Sequence, residues 1–124
     1  MIARKSPSGP AINVLGGPPI VQNGPSGAAF TVDWSTGFFQ EVEATVTGAA
    51  IDVRTLLPEG ESCILLLQVR QDETGSRAPT LPFVYTASGT PLAFSTAPGA
   101  YDIVWLVADG RGQVSGTFFA KNLQ

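Results

Sequence analysis

Tyr101-Asp102-Ile103-Val104-Trp105-Leu106-Val107-Ala108-Asp109-Gly110-Arg111-Gly112 is the stretch that decides the fold class. Its first eight residues alternate at a period of two. Tyr101, Ile103, Trp105 and Val107 share one face, and Val104 and Leu106 share the other. Successive strand side chains point to opposite faces, so this pattern predicts a strand that is apolar on both. Asp109-Gly110 then supplies turn chemistry, because glycine reaches positive φ at no steric cost and aspartate bonds to its own following backbone. Beyond the turn, Val114, Gly116, Phe118 and Ala120 fall on one face of a closing strand. The unit reads as a β-hairpin.

The same reading extends back through the chain. Ser62 to Gln71 is apolar at nearly every position through Leu67, which suits a strand buried on both faces. Its lone cysteine, Cys63, reads as a small buried hydrophobe, and one cysteine makes no intrachain disulfide. Residues 72 to 78 are a polar loop. Thr80 to Thr86, flanked by Pro79 and interrupted by Pro82, predicts a short edge strand. Residues 87 to 100 form a loop anchored by Leu92 and Phe94. Earlier, Phe30 to Trp34 alternates, and Ser35-Thr36-Gly37 turns the chain. Phe38, Gln40, Val42, Ala44 and Val46 then line one face, with Glu41 and Glu43 on a solvated opposite face. Ala50 to Leu57 follows, closed by a turn at Pro58-Glu59-Gly60-Glu61. Seven or so short strands without a helix longer than two turns predict a single β-sandwich, jelly-roll-like, over residues 28 to 124.

Residues 1 to 27 differ. Pro7, Pro10, Pro18, Pro19 and Pro25 alternate with Gly9, Gly16, Gly17, Gly24 and Gly27. Proline removes a backbone donor and glycine raises the entropy cost of ordering, so an extended N-terminal arm is expected here. Its apolar islands, Ile12, Val14 and Leu15, then Ile20 and Val21, are expected to dock on a neighbouring subunit.

Composition bounds the function. With 124 residues the chain has the length of one domain, and roughly 65% of the unfolded surface of such a chain is buried on folding. The net charge is −3 and the sole dense basic spot is Arg4-Lys5, which excludes an electrostatic footprint for nucleic acid. No apolar run is long enough for a transmembrane helix, and the first residues lack the apolar core of a secretory signal. There is no histidine, the commonest general base, metal ligand and pH switch. No phosphate-binding glycine loop occurs, and no carboxylate spacing marks a calcium loop. The expectation is a protein without catalytic, cofactor or metal site residues. Charged residues reach only 14% while hydrophobic residues reach 44%, so much of the surface is expected to be covered by neighbours. Leu65, Leu67, Ile103, Trp105 and Phe118 are expected in the core or at a subunit interface, and Val104 and Leu106 at an assembly surface. Trp34, Tyr85, Tyr101 and Trp105 offer the alternative of a sugar-binding surface.

Taken in order, three groups of residues carry a resemblance. They are Thr31-Val32-Asp33-Trp34-Ser35-Thr36-Gly37 with the Val42-to-Gly48 strand and turn, then Leu65 to Arg77, then Ala97 to Ala108 with the Asp109-Gly110 turn and Ala120-Lys121-Asn122. From about Phe30 to Asn122 the chain resembles a β-structured module of bacteriophage virion proteins, particularly tail-fibre and head- or tail-decorating subunits. It departs from that pattern after Arg77, where the family often has tryptophan and this chain has Leu81 and Phe83. The resemblance implies a structural, non-enzymatic role in a homo-oligomer, most often a trimer. Its partners would be other virion proteins, and its location the virion, assembled in the host cytoplasm. A host-surface glycan is the alternative partner.

Overall fold

The computed structural model of the protein describes residues 19–54 and 62–124. Ile12, Val14 and Leu15 lie outside them. The regular structure of the described residues is almost all strand: β1 (Val21–Pro25), β2 (Ala29–Thr31), β3 (Phe39–Ala44), β4 (Ala50–Asp52), β5 (Cys63–Gln71), β6 (Val84–Tyr85), β7 (Tyr101–Ala108) and β8 (Val114–Leu123). One 3-10 turn, Trp34–Thr36, is capped by Asp33, whose carboxylate accepts from the Ser35 amide. The all-β expectation holds.

Six strands form one mixed sheet in the order β1-β3-β5-β7-β8-β6, and β2 and β4 pair in a second, two-stranded sheet. β1, β3 and β5 run parallel. Parallel neighbours need a crossover, and β2 follows β1 as β4 follows β3, each placed in the small sheet between two strands of the large one. β5, β7 and β8 run antiparallel, and the Asp109-Gly110 turn joins β7 to β8. The Asp109 carboxylate accepts from the Arg111 and Gln113 amides, as the turn chemistry predicts.

The core lies on one face of the large sheet. Val42 and Ala44 of β3, Leu65, Leu67 and Val69 of β5, and Val104 and Leu106 of β7 meet Val32, Trp34, Ile51 and Val53 from the small-sheet side. The Trp34 indole N–H donates to the Val53 carbonyl at 2.8 Å, so this large ring leaves no buried donor unpaired. Phe94 closes the core from the 87–100 loop and meets Phe118 edge to face, with ring centroids 5.3 Å apart. Gly116 sits on β8 where an added Cβ would come within 2.9 Å of Val84 and 3.0 Å of Leu106, so its missing side chain lets β6 close against β8.

Four expectations change. Residues 21–25 belong to the large sheet rather than to an arm that avoids it. Pro25 is tolerated because β1 is an edge strand, where only one side needs donors. The Asn23 side chain spans the resulting irregularity, donating to the Glu41 carbonyl and to Gln40 Oε1. Val104 and Leu106, expected at an assembly surface, have no exposed surface, because the side of β7 that holds them is the side the small sheet covers. β5 is not buried on both faces: Ile64 is 56% exposed, and among the described residues no layer covers its end of the opposite face. Glu41 is buried, not solvated, and accepts from the Gln68 side chain and, at 3.0 Å, from Arg70 Nε.

Candidate assembly surface

The register of the large sheet lines its uncovered face up in rows. Phe39 pairs with Leu66, Leu66 with Trp105, and Trp105 with Thr117. The next row toward one end is Ile64, Val107 and Ser115, continued by Tyr85 of β6. Toward the other end come Glu41, Gln68 and Ile103, then Glu43, Arg70 and Tyr101. One face therefore has two halves of different chemistry.

The polar half is internally paired. Arg70 bonds Glu41 and lies over the Tyr101 ring, with its guanidinium carbon 4.6 Å from the centroid. Among the described residues the apolar half has no such cover. Phe38, Ile64, Tyr85, Trp105, Val107 and Phe119 are all exposed there, Phe119 to 62%. Trp105 and Phe119 meet edge to face at 6.0 Å. Phe38, Ile64, Leu66, Trp105 and Phe119 enclose a groove of about 270 Å³ with almost no polar lining. On the other side of Trp105, a cleft of about 450 Å³ runs to Tyr85 over Val107, Ser115 and Thr117.

The arrangement offers binding chemistry. Among the described residues, no group of three or more His, Cys, Asp or Glu side chains is placed to hold a metal ion. No helix of the described residues is long and apolar enough to cross a membrane. The carboxylates with shifted titration lie away from this face in local turns. The Ser35 hydroxyl and amide hold Asp33 below the usual carboxylate range. Asp72 is held down chiefly by its hydrogen bond from Arg77, and it also accepts from the Gly75 and Thr74 amides.

Of the residues singled out in the sequence, Trp105 and Ile103 do stand on the uncovered face, whereas Leu65 and Leu67 are core and Phe118 packs against the core. Ile20 directly precedes β1, and Val21 pairs with Gln40 within this chain. Of the four aromatics weighed for sugar binding, Trp34 is buried and Tyr101 lies under Arg70, leaving Tyr85 and Trp105 together at one cleft. Phe38, Ile64, Leu66, Val107 and Phe119 were not singled out as surface residues. For Ile64, Leu66 and Val107 the signal was present in β5 and β7, which are apolar at both parities where a half-buried strand alternates with polar residues, whereas Phe38, just before β3, and Phe119, on β8, lie outside those two strands. No protein-family model, curated protein or solved structure matches the chain.

Proposed function

We propose that the protein is a non-enzymatic structural subunit of a bacteriophage virion, capsid-decorating or part of a tail fibre or its adaptor. It assembles with itself, as a trimer, and with other virion proteins. The observation that carries this reading is the apolar half-face of Phe38, Ile64, Trp105, Val107 and Phe119. Contiguous exposed apolar surface of this kind marks an interaction site, because leaving it in water forfeits the burial that association recovers. The placement in a virion rests on the resemblance of residues 30 to 122. The two layers sharing one core favour reading the fold as a β-sandwich of jelly-roll-like type.

Two measurements test the proposal. Sedimentation of the full chain across micromolar concentrations is expected to give a trimer, and a monomer throughout would refute self-assembly. Quantitative mass spectrometry of particles encoded with this gene is expected to find the chain. Hundreds of copies place it on the capsid, a handful in the tail, and its absence sinks the virion reading.

A second reading is supported by the cleft between Tyr85 and Trp105. Two exposed rings flank the hydroxyls of Ser115 and Thr117, a combination suited to a neutral sugar ring, which stacks on π-faces and bonds to hydroxyls. A glycan array probed with the full chain separates this host-glycan reading from pure assembly.

A further inference from the structure

Leu81-Pro82-Phe83-Val84 is a turn, closed by the Val84 amide donating to the Leu81 carbonyl at 3.4 Å. Phe83 has a φ of +70°. Pro82 before it holds φ at about −65°, so negative φ is followed by positive φ, the type II pattern, whose second central position favours glycine. A bulky side chain there is strained backbone. Burial does not compensate the strain, because Phe83 is 59% exposed. The Arg54 guanidinium lies over the ring, 3.6 Å from its centroid, but an exposed stack of this kind offsets only the low end of such strain. The chain therefore holds an aromatic ring out in solvent at a place where glycine fits the backbone better.

Phe83 lines a cleft of about 360 Å³ between residues 80–86 and Gly89, Pro91 and Leu92. Tyr85 and Thr86 wall this cleft and also the cleft of about 450 Å³ that runs to Trp105. The exposed Tyr85 is thus a shared partition, with Trp105 in one cleft and Phe83 in the other. Neither lining contains a charged residue. Ser115 stands level with Tyr85 and Thr117 level with Trp105, and both are exposed.

We propose that the two clefts form one site for a neutral oligosaccharide, with sugar rings bound on both sides of Tyr85, on Trp105 in the larger cleft and on Phe83 in the smaller. The inference rests on the host-glycan reading above and extends it to the length and charge class of the ligand. A sugar ring stacks its C–H face on an aromatic ring while its hydroxyls both donate to and accept from Ser115 and Thr117. An acidic sugar would bring a carboxylate into linings that hold no cation, at an uncompensated desolvation cost. The Arg54 guanidinium beside Phe83 is already paired, with Asp52 at 3.7 Å. A proline-rich peptide also docks on aromatic-lined grooves, but proline lacks an N–H and would leave the acceptor capacity of both hydroxyls unused.

The test uses the full chain. It is screened on an array of neutral and acidic glycans, and the best-retained glycan is truncated stepwise to a single sugar and titrated by calorimetry. Affinity is expected to rise about tenfold once the ligand is long enough to pass Tyr85. Phe83→Gly removes the ring and installs the residue the turn prefers, so the circular dichroism spectrum is expected to hold while that gain disappears and binding of the shortest ligand stays unchanged. Tyr85→Ala is expected to weaken short and long ligands alike. Affinity independent of length, or a gain that Phe83→Gly leaves intact, overturns the two-cleft site and leaves the host-glycan reading standing. Preference for sialylated glycans overturns the neutral ligand. Retention of no glycan defeats both, and saturable binding of decaproline in its place assigns the clefts to a peptide.

Discussion

Ile64 and Leu65 are neighbours on β5, yet one is 56% exposed and the other 4%. On β7, Trp105 is 40% exposed between Val104 and Leu106, which are fully buried. The two faces of these strands are about equally apolar in composition. What separates them is the second layer: the small sheet and the loop carrying Phe94 cover one face, and nothing in the described chain covers the apolar half of the other. Hydrophobicity alone thus records that a face wants burial. It does not record whether the chain itself or a partner supplies it.

The comparison breaks or sharpens under substitution. On the covered face, Leu67→Ala should cost about 3–4 kcal/mol, since a fully buried leucine loses its transfer free energy and leaves a cavity. Urea unfolding of the dilute protein checks this, and a loss below about 1 kcal/mol would erase the distinction between the faces.

Asp102 sharpens the covered side differently. It is 1% exposed on β7 and accepts from the Ser95 amide at 2.6 Å, the Ser95 hydroxyl at 2.7 Å and the Asn122 amide at 2.7 Å. It thereby ties the 87–100 loop and the end of β8 to β7. Asp102→Ala strands two amide donors and should cost about 2–3 kcal/mol. Faster amide exchange at Ser95 and Asn122 should accompany that loss, and unchanged exchange there would refute the tie.

On the uncovered face, Ile64→Ala should change monomer stability by less than about 1 kcal/mol. Its effect should appear instead as weaker self-association in sedimentation. A large loss of stability at concentrations where the protein is monomeric would mean that the face is covered within the chain.

The smallest effect belongs to Asp72, in the polar loop beyond both faces. Its folded-state pKa is lowered, chiefly by the hydrogen bond from Arg77, with Arg77 Nη2 2.9 Å from the carboxylate. A depressed carboxylate stabilises above its unfolded value, and that contribution fades as pH falls through the folded value. Asp72→Asn should therefore lower the melting temperature at pH 7, with the gap to the unsubstituted protein closing below about pH 4. A gap of constant size across that range would show that the ion pair adds nothing.

The period-two runs made the strands legible. β3 and β7 fall within the stretches that alternation marked out, β5 within the nearly continuous apolar run, and β8 begins at Val114 as expected but runs on past Ala120 to Leu123, while Asp109-Gly110 turns where its chemistry predicts. Strand identity depends on side chains a few residues apart, so local pattern carries it. The fate of Val104 and Leu106 was not legible, because a strand apolar at both parities has two equivalent assignments of inside and outside. The burial of Glu41 was missed for a related reason. Its partners Gln68 and Arg70 lie 27 and 29 residues away, brought alongside by the parallel pairing of β3 with β5. β1 was hidden by its proline, which an edge position tolerates and an interior one does not.

By itself, then, the sequence determined the β class, the hairpin at the end of the chain, the absence of histidine chemistry and a surplus of apolar strand surface. Each follows from composition or from interactions within about ten residues. Only the tertiary structure decided which side of β5 and β7 is core. That choice depends on the small sheet formed by β2 and β4, which pair across about twenty residues of sequence and deliver Ile51, with Val32 beside it, to one side of the large sheet. Once that side is filled at protein packing density, the apolar half of the other side is a face that no described residue of the chain covers.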